Sequence, residues 1–234
     1  MFNEACLHFR RTPITSITEL DTTAKSLAEF TGRVADLSSR AAITAQEIAM
    51  SRLPRDHRLA LCFREASEGF GQATTRIAPC YHALVTVAEH TDAVRDRIRR
   101  THQDQQPQPY PHRDPPSKGI QTALAVLDQH RSHLYSHRAG GLHNAAVSFA
   151  ELCVQIGQIA ALLASSADEQ AASYDEPAGD PHVVERLTEA AALARRIARA
   201  ATLAKDYFQT TSVHTEAAVK RLRRRGYDPN KVPL

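Results

Sequence analysis

The sequence predicts an all-α fold: an elongated, up-down-up-down antiparallel four-helix bundle of long helices. Three observations predict it. Between Leu59 and Ile98, alternating steps of four and three residues read Leu59, Phe63, Ala66, Phe70, Ala73, Ile77, Cys80, Leu84, Val87, Thr91, Val94 and Ile98, and only Thr91 is polar. The intervening face carries Arg64, Glu68, Gln72, Arg76, Glu89 and Arg95. Such a repeat of about 3.5 residues marks a long helix buried along one stripe. Second, three further stretches carry the same repeat. Third, aromatic residues make up 6% of the chain, Trp is absent and Ala is abundant, which suits close helix–helix approach.

The elements follow in order. Residues 1–12 read as an N-terminal arm. The first helix is expected over 13–50, with Pro13 in its first turn, Thr12 as cap and a stripe running from Ile17 and Leu20 to Ala45 and Ile48. Leu53-Pro54 ends it. The second helix, 55–102, contains Pro79, where a kink is expected. The proline-rich run at 103–117 reads as an extended linker. Ser117 caps a third helix over 117–166. Its stripe starts Ile120, Ala123, Leu127, slips in phase at Gly140-Gly141 and resumes as Leu142, Ala145, Phe149, Leu152, Ile156, so a π-bulge, a kink or two helices meeting at the glycines is expected there, and the bundle is taken as kinked at that point. The fourth helix, 181–225, has the stripe Leu187, Ala190, Ala194, Ile197, Ala201, Ala204, Phe208, Thr211, Thr215, Ala218, Leu222. Gly226 stops it, and 227–234 form a tail. The bundle thus spans 13–226. At about 1.5 Å per residue these helices are roughly 70 Å long.

Charge is unevenly spread. Residues 181–234 carry 11 Lys+Arg against 5 Asp+Glu, while 104–180 carry 4 against 9. Arg97, Arg99 and Arg100 end the second helix, and Lys220, Arg221, Arg223, Arg224 and Arg225 end the fourth. In an up-down-up-down bundle these helices are parallel, so both clusters form one basic pole able to contact a phosphate backbone. No aromatics interleave with it for stacking bases.

Antiparallel alignment from the loops puts Leu27 near Cys80, Cys80 opposite His137, Phe208 near Leu142 and Thr211 near His137. Gly32, Pro79, Cys80, His137, Gly140, Gly141 and Thr211 then share one level, an expected mid-bundle pocket or hinge. His130, His133 and His137 have a spacing that can hold a metal, but no Glu-x-x-His pair accompanies them, so no metal site is assigned. Four scattered cysteines exclude a Cys-x-x-Cys motif and suit a reducing, cytoplasmic setting. No signal peptide, membrane span, phosphate loop or dinucleotide fingerprint is read, and neither a cofactor nor membrane contact is expected.

Arg131 and His137 match the Arg-x(4–6)-His spacing of HEPN-type ribonucleases, but Arg52…His57, Arg97…His102 and Arg138…His143 match it too, so the spacing does not discriminate. Ser136-His137 with Gly141 faintly resembles the phosphoacceptor helix of histidine phosphotransfer proteins, with Gly140 in place of the expected Lys. No catalytic residue is assigned. The expected function is a non-enzymatic association protein: a scaffold, adaptor or oligomer subunit with a protein partner or a second copy. The alternatives are a nucleic-acid accessory protein acting through the basic pole, and a histidine-based metal-binding or phosphotransfer module.

Overall fold

Local capping sets where the helices begin. In the computed structural model, which describes residues 14–51, 56–101, 120–125, 138–174 and 180–230, the long helices are α1 (Ile17–Met50), α2 (His57–Thr101), α3 (Ala139–Tyr174) and α4 (Pro181–Arg224). A short helical stretch covers 120–125, and no strand occurs among the described residues. Ser16 Oγ accepts the Glu19 N–H at 3.2 Å, and the Glu19 carboxylate accepts the Thr15 N–H at 2.8 Å. This reciprocal cap starts α1 at Ile17 rather than at residue 13. Asp56 caps α2 and Asp180 caps α4, each carboxylate taking a backbone N–H two residues on at 3.1 Å. Gly226 adopts φ 79°, and Tyr227 N–H returns to Leu222 O at 3.1 Å, which closes the end of α4.

The heptad stripes are the core. From Leu59 to Val94 every stripe residue of α2 is buried, as is every α4 stripe residue from Leu187 to Leu222. Burying a stripe of this kind is what makes Thr-rich α1 helical, since its intrinsic propensity is modest.

The helices divide into two units. Unit 1 takes α1 up to Phe30, α2 from Cys80, the stretch 120–124, α3 from Ile156 and α4 up to Arg199; unit 2 takes the remainder of each helix. In unit 1, Asp21 and Lys25 of α1 meet Thr91, Asp92 and Arg95 of α2, Arg97 of α2 meets Asp180 at the start of α4, and Asp168 of α3 meets Arg195 of α4. Val94, Ala171, Val183 and Leu187 form a buried apolar cluster there. In unit 2, Ser67 Oγ donates to Ala42 O at 2.8 Å, the Glu65 carboxylate pairs with His214 at 2.8 Å, and His143 Nδ1 donates to Ser212 O at 3.2 Å. Phe70, Phe149 and Phe208 pack ring against ring at its centre.

These pairings correct the expected topology. In each unit α2 is antiparallel to α1 and to α4, and α3 is antiparallel to α4. Hence α2 and α3 both pass from unit 2 into unit 1, while α1 and α4 pass the other way. Within each unit, α2 and α3 therefore share one direction, and α1 and α4 run opposite to it. Short loops force antiparallel neighbours at 51–56 and 175–180, but the connection over 102–138 is long enough to return α3 to the same direction as α2. The third helix also differs in extent. It starts at Ala139 and continues past residue 166 to Tyr174, so Gly140-Gly141 lie in its first turn and not at a mid-helix kink. The phase slip in the sequence marks the start of a helix. Pro79 lies inside α2, which continues through it.

Two glycines in α2 test how closely the helices approach. A Cβ on Gly69 would fall inside contact distance of Thr211 Oγ1 and 3.3 Å from Thr211 Cβ, whereas a Cβ on Gly71 meets nothing within 4 Å. Gly71→Ala is expected to stabilise the protein by about 0.5–1 kcal/mol through helix propensity. Gly69→Ala is expected to destabilise it by about 1–3 kcal/mol through overpacking. Thermal melts of both variants check this, and a gain from Gly69→Ala would show that α2 and α4 stand further apart.

Candidate functional site

The end of α2 and the start of α4 place cations around one concavity. In unit 1 a pocket of about 440 Å³ opens between these two helices. Its floor is apolar, made by Val94 and Val183 of the buried cluster of unit 1, and exposed Ala93 lines it as well. Arg97 and Arg100 from the last turns of α2, and His182 and Arg186 from the first turns of α4, line it together with Asp96. The helical repeat explains the grouping: Arg97 and Arg100 are three residues apart, as are Val94 and Arg97, and His182 and Arg186 are four apart.

The cations are unequally engaged. Arg97 Nε donates to Asp180, and this guanidinium holds the Asp180 carboxyl below its usual range. Arg186 Nη1 donates to His90 Nδ1 at 3.2 Å and to Glu189 at 3.3 Å. Arg100 is exposed and has no carboxylate partner among the described residues. Of the expected trio, Arg99 is exposed and does not line the pocket.

The basic cluster at the end of α4 belongs to unit 2. Arg221 and Arg225 each reach Asp56, the cap of α2, at 3.0 Å. Burial pushes the Asp56 carboxyl up, but the hydrogen bonds from Arg221 and the Arg58 amide and the charges of Arg225 and Arg221 outweigh it, leaving the group below its ordinary value. Lys220 pairs with Glu216 at 2.7 Å, while Arg223 and Arg224 are exposed. The two clusters expected to share one basic pole thus belong to different units. Because α2 and α4 are antiparallel, Arg97 and Arg100 stand beside the start of α4, and Arg221 and Arg225 beside the start of α2.

The expected mid-bundle level is likewise not kept. Within unit 2, Thr211 lies against Gly69, a stretch of α2 well before Pro79. Gly140 lies against the C-terminal turn: its N–H donates to Pro229 O at 3.3 Å, and the missing Cβ leaves room for Asn230. Gly141 is next to it in the first turn of α3. Gly32 falls where the unit 2 part of α1 begins, and Pro79 where the unit 2 part of α2 ends. Cys80 is buried in unit 1, and burial pushes its thiol up to about 11, which keeps it protonated and a poor metal ligand at neutral pH. His130, His133 and His137 lie outside the described residues. Among the described residues, no group of three or more His, Cys, Asp or Glu side chains is placed to hold a metal.

The strongest buried polar arrangement was not anticipated. Asp21 of α1 is buried on the core side and accepts from Lys25 Nζ and from Arg95 Nη1, both at 3.0 Å. Thr91, the single polar residue of the α2 stripe, aims its hydroxyl at Asp21 Oδ1 at 3.4 Å while donating to Ala88 O at 2.9 Å. Lys25 and Arg95 also pair with Asp92. Thr91 in an otherwise apolar stripe was the available signal that a polar partner faces it. His182 and Arg186 were missed because α4 was assigned the wrong direction relative to α2.

α3 is the described helix long and apolar enough to cross a membrane by length and composition, with a mean hydropathy of 1.6 over 18 residues. Leu142, Phe149, Leu152, Ile156 and Leu163 of this helix are buried in the core, whereas Val147 and Val154 are exposed. Comparison with protein-family models, curated proteins and solved structures finds no match to this chain.

Proposed function

We propose that the protein is a non-enzymatic association protein, a scaffold, adaptor or oligomer subunit whose contacts are made by unit 2. The observation behind this reading is the pattern of exposed apolar side chains. Among the described residues, the large ones are Ile43, Met50, Val147, Val154, Leu203, Val213 and Tyr227 in unit 2, against Tyr81 in unit 1. Ile43 and Met50 are 56% and 68% exposed, one heptad apart on α1; Val147 and Val154 are each 41% exposed, one heptad apart on α3. Single exposed apolar residues are ordinary, but heptad-spaced pairs make a second stripe on a helix that already buries its first. α3 supports this further. Over residues 139–167 Glu151 is its sole Asp, Glu, Lys or Arg, so little charge opposes a partner. Buried Cys80 and Cys153, serving as small hydrophobes, suit a reducing, cytoplasmic location.

Light scattering over a range of protein concentrations tests the reading through self-association. A mass above that of one 25.8 kDa chain is expected, falling to one chain in the Val147→Glu, Val154→Glu double variant. A mass of one chain at every concentration would leave a different protein as partner, and an unaltered larger mass in the double variant would remove α3 from the contact. The basic-pole alternative is not adopted, because the two clusters it joins belong to different units.

A further inference from the structure

We propose that the pocket between the end of α2 and the start of α4 is a binding site for a small multivalent oxyanion, a phosphate or diphosphate group carried on a compact organic body. This does not rest on the association reading and concerns unit 1 alone. Three arginines line the pocket against one aspartate, Asp96, so the lining is net cationic. Asp180 and Glu189 each occupy part of one guanidinium, Arg97 Nε and Arg186 Nη1, and leave its other N–H groups for a ligand. Arg100 has no carboxylate partner among the described residues. Planar guanidinium forks from two helices can clamp the oxygens of one phosphate with paired charge-assisted hydrogen bonds, which lysine could not do. His182 adds a ring N–H.

Shape narrows the ligand class. A volume of about 440 Å³ is that of a small-molecule site. A nucleic-acid backbone needs an extended cationic track, and here the cations surround one mouth. The floor of Val94 and Val183 is apolar, so the anionic group sits at the rim and a small uncharged body below it. The flanking carboxylates have a second role: with Arg97 and Arg186 drawn partly toward Asp180 and Glu189, the guanidinium planes are pre-positioned before a ligand arrives.

The test is isothermal titration calorimetry of the full chain with inorganic pyrophosphate at low ionic strength. The variants are Arg100→Gln, Arg186→Gln and, in unit 2, Arg223→Gln. Arg100 is exposed, so its variant is expected to melt at the temperature of the parent and report binding alone. The expected result is saturable one-site binding that weakens about tenfold or more in Arg100→Gln and Arg186→Gln. Binding in Arg223→Gln should stay within about twofold of the parent. Absence of saturable binding overturns the proposal, and so does equal weakening in all three variants, which would mean diffuse attraction by net charge.

Discussion

Replacing Phe70 with alanine is expected to remove about 3–5 kcal/mol of stability, a large share of what a domain of this kind has in total. Phe70 is fully buried, with its ring centroid 6.3 Å from Phe149 and 6.1 Å from Phe208. Those two rings are 5.3 Å apart. One side chain from α2 therefore packs edge-on against α3 and α4 at once. Truncation loses the transfer free energy of the ring, leaves a cavity the remaining rings cannot fill and deletes two aromatic contacts worth about 0.5–1.5 kcal/mol each. Phe70→Leu retains much of the volume and is expected to lose clearly less. Urea unfolding monitored by circular dichroism measures both. A loss below about 1 kcal/mol for Phe70→Ala would mean that the three rings do not form one packed centre.

The second large effect is expected at Asp21. Removing this carboxylate leaves Arg95, whose Nε is already buried without an acceptor, and Lys25 without their buried partner. Breaking a buried ion pair from one side costs about 3–5 kcal/mol. Asp21→Ala is expected at the lower end of that range, because the Lys25 side chain is half exposed and both cations retain Asp92. A double-mutant cycle with Arg95→Ala isolates the pair. A coupling of about 1 kcal/mol or more is expected, and additive losses would show that Asp21 and Arg95 act independently.

These two sites differ in how far the sequence discloses them. Phe70, Phe149 and Phe208 each occupy a stripe position, so their burial follows from periodicity alone. Their mutual contact does not. A heptad repeat states which face of a helix is covered but not which helix covers it, nor in which direction that neighbour runs. The α1–α2 pairing was legible because a short loop fixes it: Leu27 was expected near Cys80, and Ser38 is found against Phe70, Ser67 against Ala42, close to the same register. For α3 and α4 the expected partner of Phe208 was Leu142, and the observed one is Phe149, one heptad further on. That offset follows from ending the third helix at residue 166 when it continues to Tyr174. The direction of α3 was not legible at all. The proline-rich run supplied enough chain for either direction, and the clue lay in Gly140-Gly141, where the phase changes because a new helix begins against Pro229 and Asn230.

The candidate pocket was half visible for the same reason. Arg97 and Arg100 were selected as cations ending a helix, whereas His182 and Arg186 join them only once α4 starts where α2 ends. A misassigned direction thus placed the first two beside another basic cluster instead of beside the pair with which they share a cavity.

The way the long helices are shared between the units bears on how this chain can be taken apart. Each unit is assembled from three separate stretches of sequence, so no single contiguous fragment contains either one. Cutting at a unit boundary would sever every long helix. The pieces that remain whole in sequence are the hairpins, α1 with α2 and α3 with α4, and a break in the connection between α2 and α3 leaves both intact. Co-expression of two such halves, rather than isolation of either unit, is the natural route to a fragment that refolds by complementation.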